Sequence, residues 1–310
     1  MEFQELTIDC KELIQKHLSY QQYGATDMSF AHLYAWRNRY NIRFAVVHDM
    51  CCVVFCDPFE PVEGHICCML MPFGAGDLGA AITSCRTYFE GMEQTFCMKG
   101  LTNNMIADIN ASLPEQFDYT AIRDTFDYIY SMEDLINLTG KKYHSKRNFI
   151  NTFQANYAYE YLPLTTALID PCLDMLYAWE KAKLADENMS EYDRKLLAWE
   201  TEAMGEMLQQ FAHFGVKGGA ILVEGKVIAF TLGEQITKDT CLIHAEKADY
   251  AFRGIYPMIN QAFLKNTFAH LKYVNREEDA GIEGLRKAKQ SYYPVFLLEK
   301  SMATVKGVAL

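Results

Sequence analysis

The chain is predicted to be an α+β protein with mixed sheets, built as two domains on one plan. Three observations predict this. The tetrapeptide Leu33-Tyr34-Ala35-Trp36 returns as Leu176-Tyr177-Ala178-Trp179. Each copy lies in a helix-like segment and heads the same order of elements. A length of 310 residues, 50% hydrophobic and 13% aromatic, supplies material for about two cores.

The elements follow in order. Cys10–Gln22 has mixed helical spacing, and Asp27-Met28-Ser29 is placed to cap the helix bearing the first repeat. A strand pair over Arg43–Phe55 turns near His48-Asp49. A short apolar strand (Ile66–Met71), a helix (Leu78–Glu90), a strand (Thr95–Met98), a helix (Asn103–Ile109) and a closing strand (Phe126–Tyr130) complete the first copy. In the second copy the pair is Gly219–Leu232, turning at Glu224-Gly225-Lys226. Strand Cys241–Ala245, helix Ile255–Ala269, strand Leu271–Val274, helix Gly281–Lys289 and strand Tyr293–Leu298 follow. Only this copy carries an acidic insertion. Glu180–Glu206 holds eight acidic and four basic residues and reads as solvated helix over Asp186–Met189 and Tyr192–Phe214.

Between the copies, Ser131–Thr139 is a short helix stopped by Gly140. The seam from Lys141 to Phe153 is no Gly/Ser linker. Phe149, Ile150 and Phe153 recur at near-helical spacing, so the seam packs against one or both domains. The residues after Met302 look loose. The expected division is 1–140 for the N-terminal domain, 141–154 for a basic connecting segment and 155–310 for the C-terminal domain. Helix, antiparallel hairpin, strand, helix, strand, helix, strand is the succession of the acetyltransferase-like (GNAT) fold, in which central strands splay apart and an acyl donor lies in the gap.

Composition narrows the function. A formal charge of -11 argues against a protein that coats nucleic acid or anionic membrane non-specifically. No apolar run approaches the ~18–20 residues of a membrane helix, and the acidic start Met1-Glu2-Phe3-Gln4-Glu5 lacks signal-peptide character. The expectation is a cytoplasmic protein with no integral membrane association and no DNA partner. The ten cysteines include the adjacent pairs Cys51-Cys52 and Cys67-Cys68, with no C-x-x-C. Adjacent strand residues point to opposite faces, so such pairs are poorly placed to share one metal. The cysteines are read as small buried hydrophobes in a reducing compartment, and no metal-ligand spacing is found.

Three segments carry candidate chemistry. Lys141–Arg147 is the densest basic cluster in an acidic chain, and Lys142, Lys146 and Arg147 suit a phosphate or carboxylate. The plain alternative is a solvated helix start. Asn275-Arg276-Glu277-Glu278-Asp279 follows a strand end, where open sheets gather ligands; helix-dipole pairing with Arg286, Lys287 and Lys289 explains part of that charge order. His244 and Glu246 alternate onto one strand face if the strand persists, so a carboxylate base with a supporting imidazole can sit there. A core histidine and a structural ion pair are the alternative. The run Gly74-Ala75-Gly76-Asp77-Leu78-Gly79 matches G-x-G-x-x-G, but no acid follows at the spacing of a dinucleotide site. The equivalent turn of the second copy has Arg253 and one glycine, Gly254. Its amides can hold an anion but make a poor pyrophosphate cradle.

Two runs carry a family resemblance. Asn275–Pro294, with Asn-Arg-Glu-Glu-Asp-x-Gly and Gly-Leu-Arg-Lys-Ala-Lys-x-Ser-Tyr-x-Pro, resembles the C-terminal domain of phosphatidylglycerol lysyltransferases. Lys142-Tyr143-His144-x-Lys146-Arg147-Asn148-x-Ile150-Asn151-x-Phe153 resembles the same group. The resemblance spans nearly the whole chain and implies a tandem GNAT-like fold related to the Fem-type aminoacyltransferases, arising by internal duplication. It implies transfer of an aminoacyl group from aminoacyl-tRNA to a lipid-headgroup, peptide or small-molecule acceptor. The alternatives are an acetyl-CoA-dependent N-acetyltransferase and a non-catalytic module that binds a small molecule or peptide. In the leading reading Glu246 is the base with His244 in support. Tyr293 protonates the leaving group, Lys287 or Lys289 neutralises an oxygen, and Lys142, Lys146 and Arg147 hold donor phosphates. Asn275, Arg276, Glu277 and Asp279 contact substrate, while Arg253 and Gly254 would face a cofactor.

Overall fold

The computed structural model describes residues 1–56 and 67–308. It resolves into two compact units that are not contiguous in sequence. The first holds Met1–Tyr128, Glu278–Arg286 and Leu297–Leu310; the second holds Ile129–Glu277 and Lys287–Phe296. This differs from the contiguous halves read from the sequence, because strands from late in each half pair away from it.

The first unit opens with β1 (Gln4–Glu5), α1 (Lys11–Leu18) and α2 (Phe30–Tyr40). Ser29 starts α2 by accepting a hydrogen bond from the His32 amide, as its capping position predicts. Next come β2 (Arg43–Val47), β3 (Met50–Cys56), β4 (Cys67–Met69), β5 (Phe73–Gly74), α3 (Leu78–Gly91), β6 (Cys97–Leu101), α4 (Asn103–Ser112) and β7 (Phe117–Ala121). The β2–β3 hairpin turns through His48 and Asp49, both at positive φ, the turn whose twist matches its flanking strands. A Cβ on Gly74 would collide with the Asp49 carbonyl and one on Gly76 with the His48 carbonyl, so the first two glycines of the G-x-G-x-x-G run serve close backbone approach. The sheet order is β1–β2–β3–β4–β6–Ser301–Val305–β7, with β5 also on β3. Residues 301–305 are thus a central strand here, which corrects the loose tail expected after Met302. Ile66, expected to begin the third strand, lies outside the described residues.

Four of the ten cysteines are disulfide-bonded, Cys56 to Cys67 and Cys68 to Cys97, which corrects the reading of all ten as reduced thiols. The opposite facing of Cys67 and Cys68 is the reason. Each reaches a different neighbouring strand: Cys67 sits directly across from Cys56 on β3, and Cys68 beside β6. The other six cysteines remain free thiols.

The second unit runs β8 (Asp127–Ser131), α5 (Met132–Asn137), α6 (His144–Asn156), β9 (Tyr159–Pro163), α7 (Ile169–Leu184), α8 (Glu191–Gln209), α9 (Phe211–Phe214), β10 (Lys217–Val223), β11 (Lys226–Gln235), β12 (Thr240–Ala248), α10 (Ile255–Phe263), β13 (Tyr273–Asn275), α11 (Glu283–Gln290) and β14 (Phe296–Leu298). The first and last strands and α11 span the points where the chain passes between the units. Residues 186–189, expected to be helical, form a turn before α8. The β10–β11 hairpin turns at Glu224-Gly225, again both at positive φ. The sheet order is β14–β8–β13–β12–β11–β10–β9. So β8, read as the closing strand of the first copy, pairs with β13 instead. The seam helix α6 packs on this unit: Ile150 and Phe153 join Tyr143, Ile221, Ile255 and Ile259 in its core.

Candidate active site

A wedge opens in the second sheet where two parallel strands part. β12 and β13 pair only from Thr240↔Tyr273 to Leu242↔Asn275. β12 then continues along β11 to Ala248, while the chain leaves β13 at Arg276 and bends at Glu277, whose φ is 58°. Ligands of open sheets gather at such carboxyl ends.

A bulge in β12 splits the pair that the sequence places together. Ala245 lies opposite Leu232, but Ile243 lies opposite Gly233, so His244 is the extra residue. Glu246, opposite Thr231, shares the Gly233 face that packs on α10 through Phe263. His244 bonds Glu234, the neighbour of Gly233, and so belongs to the other face. His244 and Glu246 therefore do not act from one face, as simple alternation predicts.

Glu246 bridges the wedge. Its Oε1 is 3.1 Å from Arg276 Nη2, and its Oε2 accepts from Asn260 Nδ2 of α10 at 2.9 Å. The two charged side chains are only 10% and 15% exposed, so each holds the other in place of lost hydration. Burial opposes the Arg276 charge, but Glu246 outweighs it and raises the guanidinium further. The Arg276 guanidinium stands 4.8 Å from the Tyr292 ring and 5.7 Å from that of Tyr130. Lys289 donates to the Arg276 carbonyl. Lys146 of α6 lies 3.8 Å over the Tyr292 ring and donates to Ser291 Oγ at 2.7 Å. Burial, with Arg276 nearby, brings the Lys146 ammonium down to about 8. Burial also pushes the Tyr292 phenol up. The wedge thus gathers a carboxylate, a fixed cation and an amine that exchanges its proton near neutral pH.

His244 is a charged pin. Its Nε2 is 2.9 Å from Glu234 Oε1 and its Nδ1 3.7 Å from Glu277 Oε1, with a fully buried ring. Burial alone would strip the ring of its proton, but the two carboxylates raise it to about 9. An imidazolium at neutral pH cannot take a further proton, so the supporting-base role does not suit it.

The other candidates scatter. Lys142 pairs with Asp134 at 2.9 Å beside the rings of Tyr143 and Tyr293. Arg147 donates to the Leu138 and Gly140 carbonyls, closing the end of α5. Tyr293 is 46% exposed and meets the Tyr143 ring edge to face; its neighbour Tyr292 is the tyrosine at Arg276. Asn275 is buried and accepts from the Glu277 amide, shaping the bend. Asp279 belongs to the first unit, where Tyr128, Arg123 and Arg286 bind it. Lys287 is exposed. Arg253 stacks on Phe149, and a Cβ on Gly254 would collide with the Phe149 carbonyl. Gly254 therefore serves the docking of α6. The sequence reading missed Asn260, Tyr292 and Tyr130. Two of them had a signal: Asn260 is a polar residue on the apolar stripe of α10, buried to 3% exposure, and Tyr292 is the tyrosine of the Ser-Tyr-x-Pro motif.

In sequence and structure the chain is similar to a conserved protein of unknown function from Bacteroides thetaiotaomicron VPI-5482: 38% identity, 99% of this chain and 100% of that one, TM-score 0.87. It shares its fold with the L-PGS of Bacillus licheniformis at 14% identity, 96% and 93% coverage and TM-score 0.63. An uncharacterized protein of Mycoplasmoides gallisepticum is 23% identical over 58% of this chain, and the match spans 56% of that protein's length. Both units have the mixed sheets of the GNAT-like plan, each with a parallel pair among antiparallel neighbours. A family profile described as "Phosphatidylglycerol lysyltransferase, C-terminal" matches residues 19–304. With this match over nearly its whole length, the chain belongs to the phosphatidylglycerol lysyltransferase C-terminal family.

Proposed function

We propose that the chain is an acyltransferase of the aminoacyl-transfer type, moving an aminoacyl group from the ester of an aminoacyl-tRNA to an amine or hydroxyl acceptor. The observation that carries the reading is the Glu246–Arg276 pair set across the β12/β13 wedge with Lys146 beside it. The acceptor attacks the ester carbonyl carbon, a bond from it to that carbon forms, and the bond between the same carbon and the ribose oxygen breaks. The acceptor must lose a proton, the carbonyl oxygen becomes negative, and the leaving oxygen must gain a proton. Glu246 takes the first proton when the acceptor displaces one of its two partners. Arg276 balances the oxyanion. Lys146 supplies the last proton, in place of Tyr293. His244, already charged, only pins the strands.

The family name supports a lipid-headgroup acceptor, with peptide and small-molecule acceptors as the alternatives. A charged-tRNA donor goes with a cytoplasmic setting, and the repeated hairpin–strand–helix order supports origin by duplication. Among the described residues no helix is long and apolar enough to cross a membrane. The test uses tRNA charged with labelled amino acids, phosphatidylglycerol vesicles, peptides and free amines. Label should reach one acceptor class, and Glu246→Gln should abolish it. Transfer from acetyl-CoA alone, or full activity in Glu246→Gln, would overturn the reading.

A further inference from the structure

The segment that enters β14 carries a surface the transfer chemistry does not use. Tyr293, Val295 and Phe296 are 46%, 49% and 47% exposed. Nowhere else among the described residues do three bulky apolar or aromatic side chains stand open within four positions. The run Tyr293–Leu298 holds no charge. β14 is also an edge of its sheet, with β8 as its neighbour there. The Val295 amide donates to the Ile129 carbonyl at 2.8 Å, so alternation turns the backbone amide and carbonyl of Phe296 to the open side. Edge strands are commonly blunted by charge, and this one has only Pro294 at its start. A cavity of about 510 Å³ opens beside the edge, at the amino end of β13 and so away from the wedge. Leu271, Tyr273, Val295 and Phe296 give it apolar walls, with the Tyr273 and Phe296 rings 5.7 Å apart and edge to face. Its rim carries both signs of charge on exposed side chains, Glu133 and Lys272.

We infer that a second copy of the chain docks on this edge, β14 against β14 about a two-fold axis. Phe296 of each copy enters the cavity of the other, and Glu133 of one copy lies beside Lys272 of the other. The inference does not depend on the transfer reading. The chemistry selects this occupant. In a two-fold contact one patch serves both sides, so it must be complementary to itself. This patch is. An open edge strand offers amides and carbonyls to a like edge. A projecting ring beside an apolar cavity suits a like ring and cavity. A rim with one carboxylate and one ammonium pairs with its own copy, whereas a partner of one sign leaves one rim charge facing its like. The edge is three residues long, from Phe296 to Leu298, so the contact is small and the dimer reversible.

The test is sedimentation velocity of the full chain over a series of concentrations from low to high micromolar. Wild type should pass from monomer to dimer. Phe296→Asp should weaken association about tenfold or more. Glu133→Lys and Lys272→Glu should each weaken it about threefold or more, and the double variant, which restores both pairs with signs exchanged, should recover most of the loss. Thermal melting checks that each variant folds. Glu133 and Lys272 are exposed, so the charge exchange carries the test if Phe296→Asp does not fold. A wild type that stays monomeric at every concentration overturns the inference, as does a dimer that none of the three single changes weakens. A monomer that binds a synthetic peptide with the sequence Tyr293–Leu298 along this edge also overturns it, because an extended peptide is then the occupant.

Discussion

Alkaline pH should loosen the second unit through one residue, His244. Its imidazolium ties Glu234 of β11 to Glu277 after β13 through a ring with no exposed side-chain surface. The ring is raised from 6.5 to about 9. A raised folded-state value means the stabilisation is complete below the unfolded value and is lost as pH climbs through the folded one. The window therefore runs from about 6.5 to about 9. About 2.5 units at 1.36 kcal/mol each gives roughly 3 kcal/mol. Lys146 works in the opposite sense, because its lowered value makes the unit more stable as pH rises above about 8. Two measurements isolate His244. Its ring proton, followed by NMR, should titrate near 9, and the urea midpoint of wild type relative to His244→Asn should fall across the window. A ring that titrates at or below 6.5 refutes the argument, as does a His244→Asn variant with the same alkaline loss as wild type.

Arg276→Ala leaves the Glu246 carboxylate buried without its cation and should cost about 3–5 kcal/mol. The double variant with Glu246→Ala should cost less than the sum of the two single changes by chemical denaturation. Gly254→Ala should cost about 2 kcal/mol or more, because φ is 91° and the new methyl meets the Phe149 carbonyl; Gly225→Ala, with open space around it, should cost about 1 kcal/mol. Under denaturing, non-reducing conditions an alkylating reagent should label six cysteines, and all ten after reduction. Intact mass reads this, and ten labels without reductant would rule out both disulfides. If Lys146 is the proton donor, transfer should fall above about pH 8 and Lys146→Met should remove that limb of the profile.

Much of the local structure was legible in sequence. The hairpin turns at His48-Asp49 and Glu224-Gly225, the Ser29 cap and the apolar stripe of α6 depend on residues a few positions apart. The site was legible in pieces. Glu246, Arg276, Lys146 and Tyr292 all stood in the segments singled out, but Asn260 did not, and the proton-donor role was given to Tyr293 rather than to a residue at the wedge. The split between His244 and Glu246 was not legible, because a one-residue bulge reverses facing without altering residue type. Tyr292 and Tyr293 carry the same side chain side by side, and only the fold buries one and exposes the other.

Periodicity, turn chemistry and motif spacing are local properties of the chain, so they revealed most of the elements in order and the family, but not β1, β7, β9 or the strand Ser301–Val305. The tertiary structure decided which strands meet. It sent β8 to β13, Ser301–Val305 between β6 and β7, and Asp279 into an ion cluster of the first unit. It joined Cys56 to Cys67 and Cys68 to Cys97, and it brought Arg276 to Glu246 across thirty positions of chain. Strand pairing at long separation is chosen by the whole core at once, so the contacts that make the wedge belong to the folded chain and to no single segment of it.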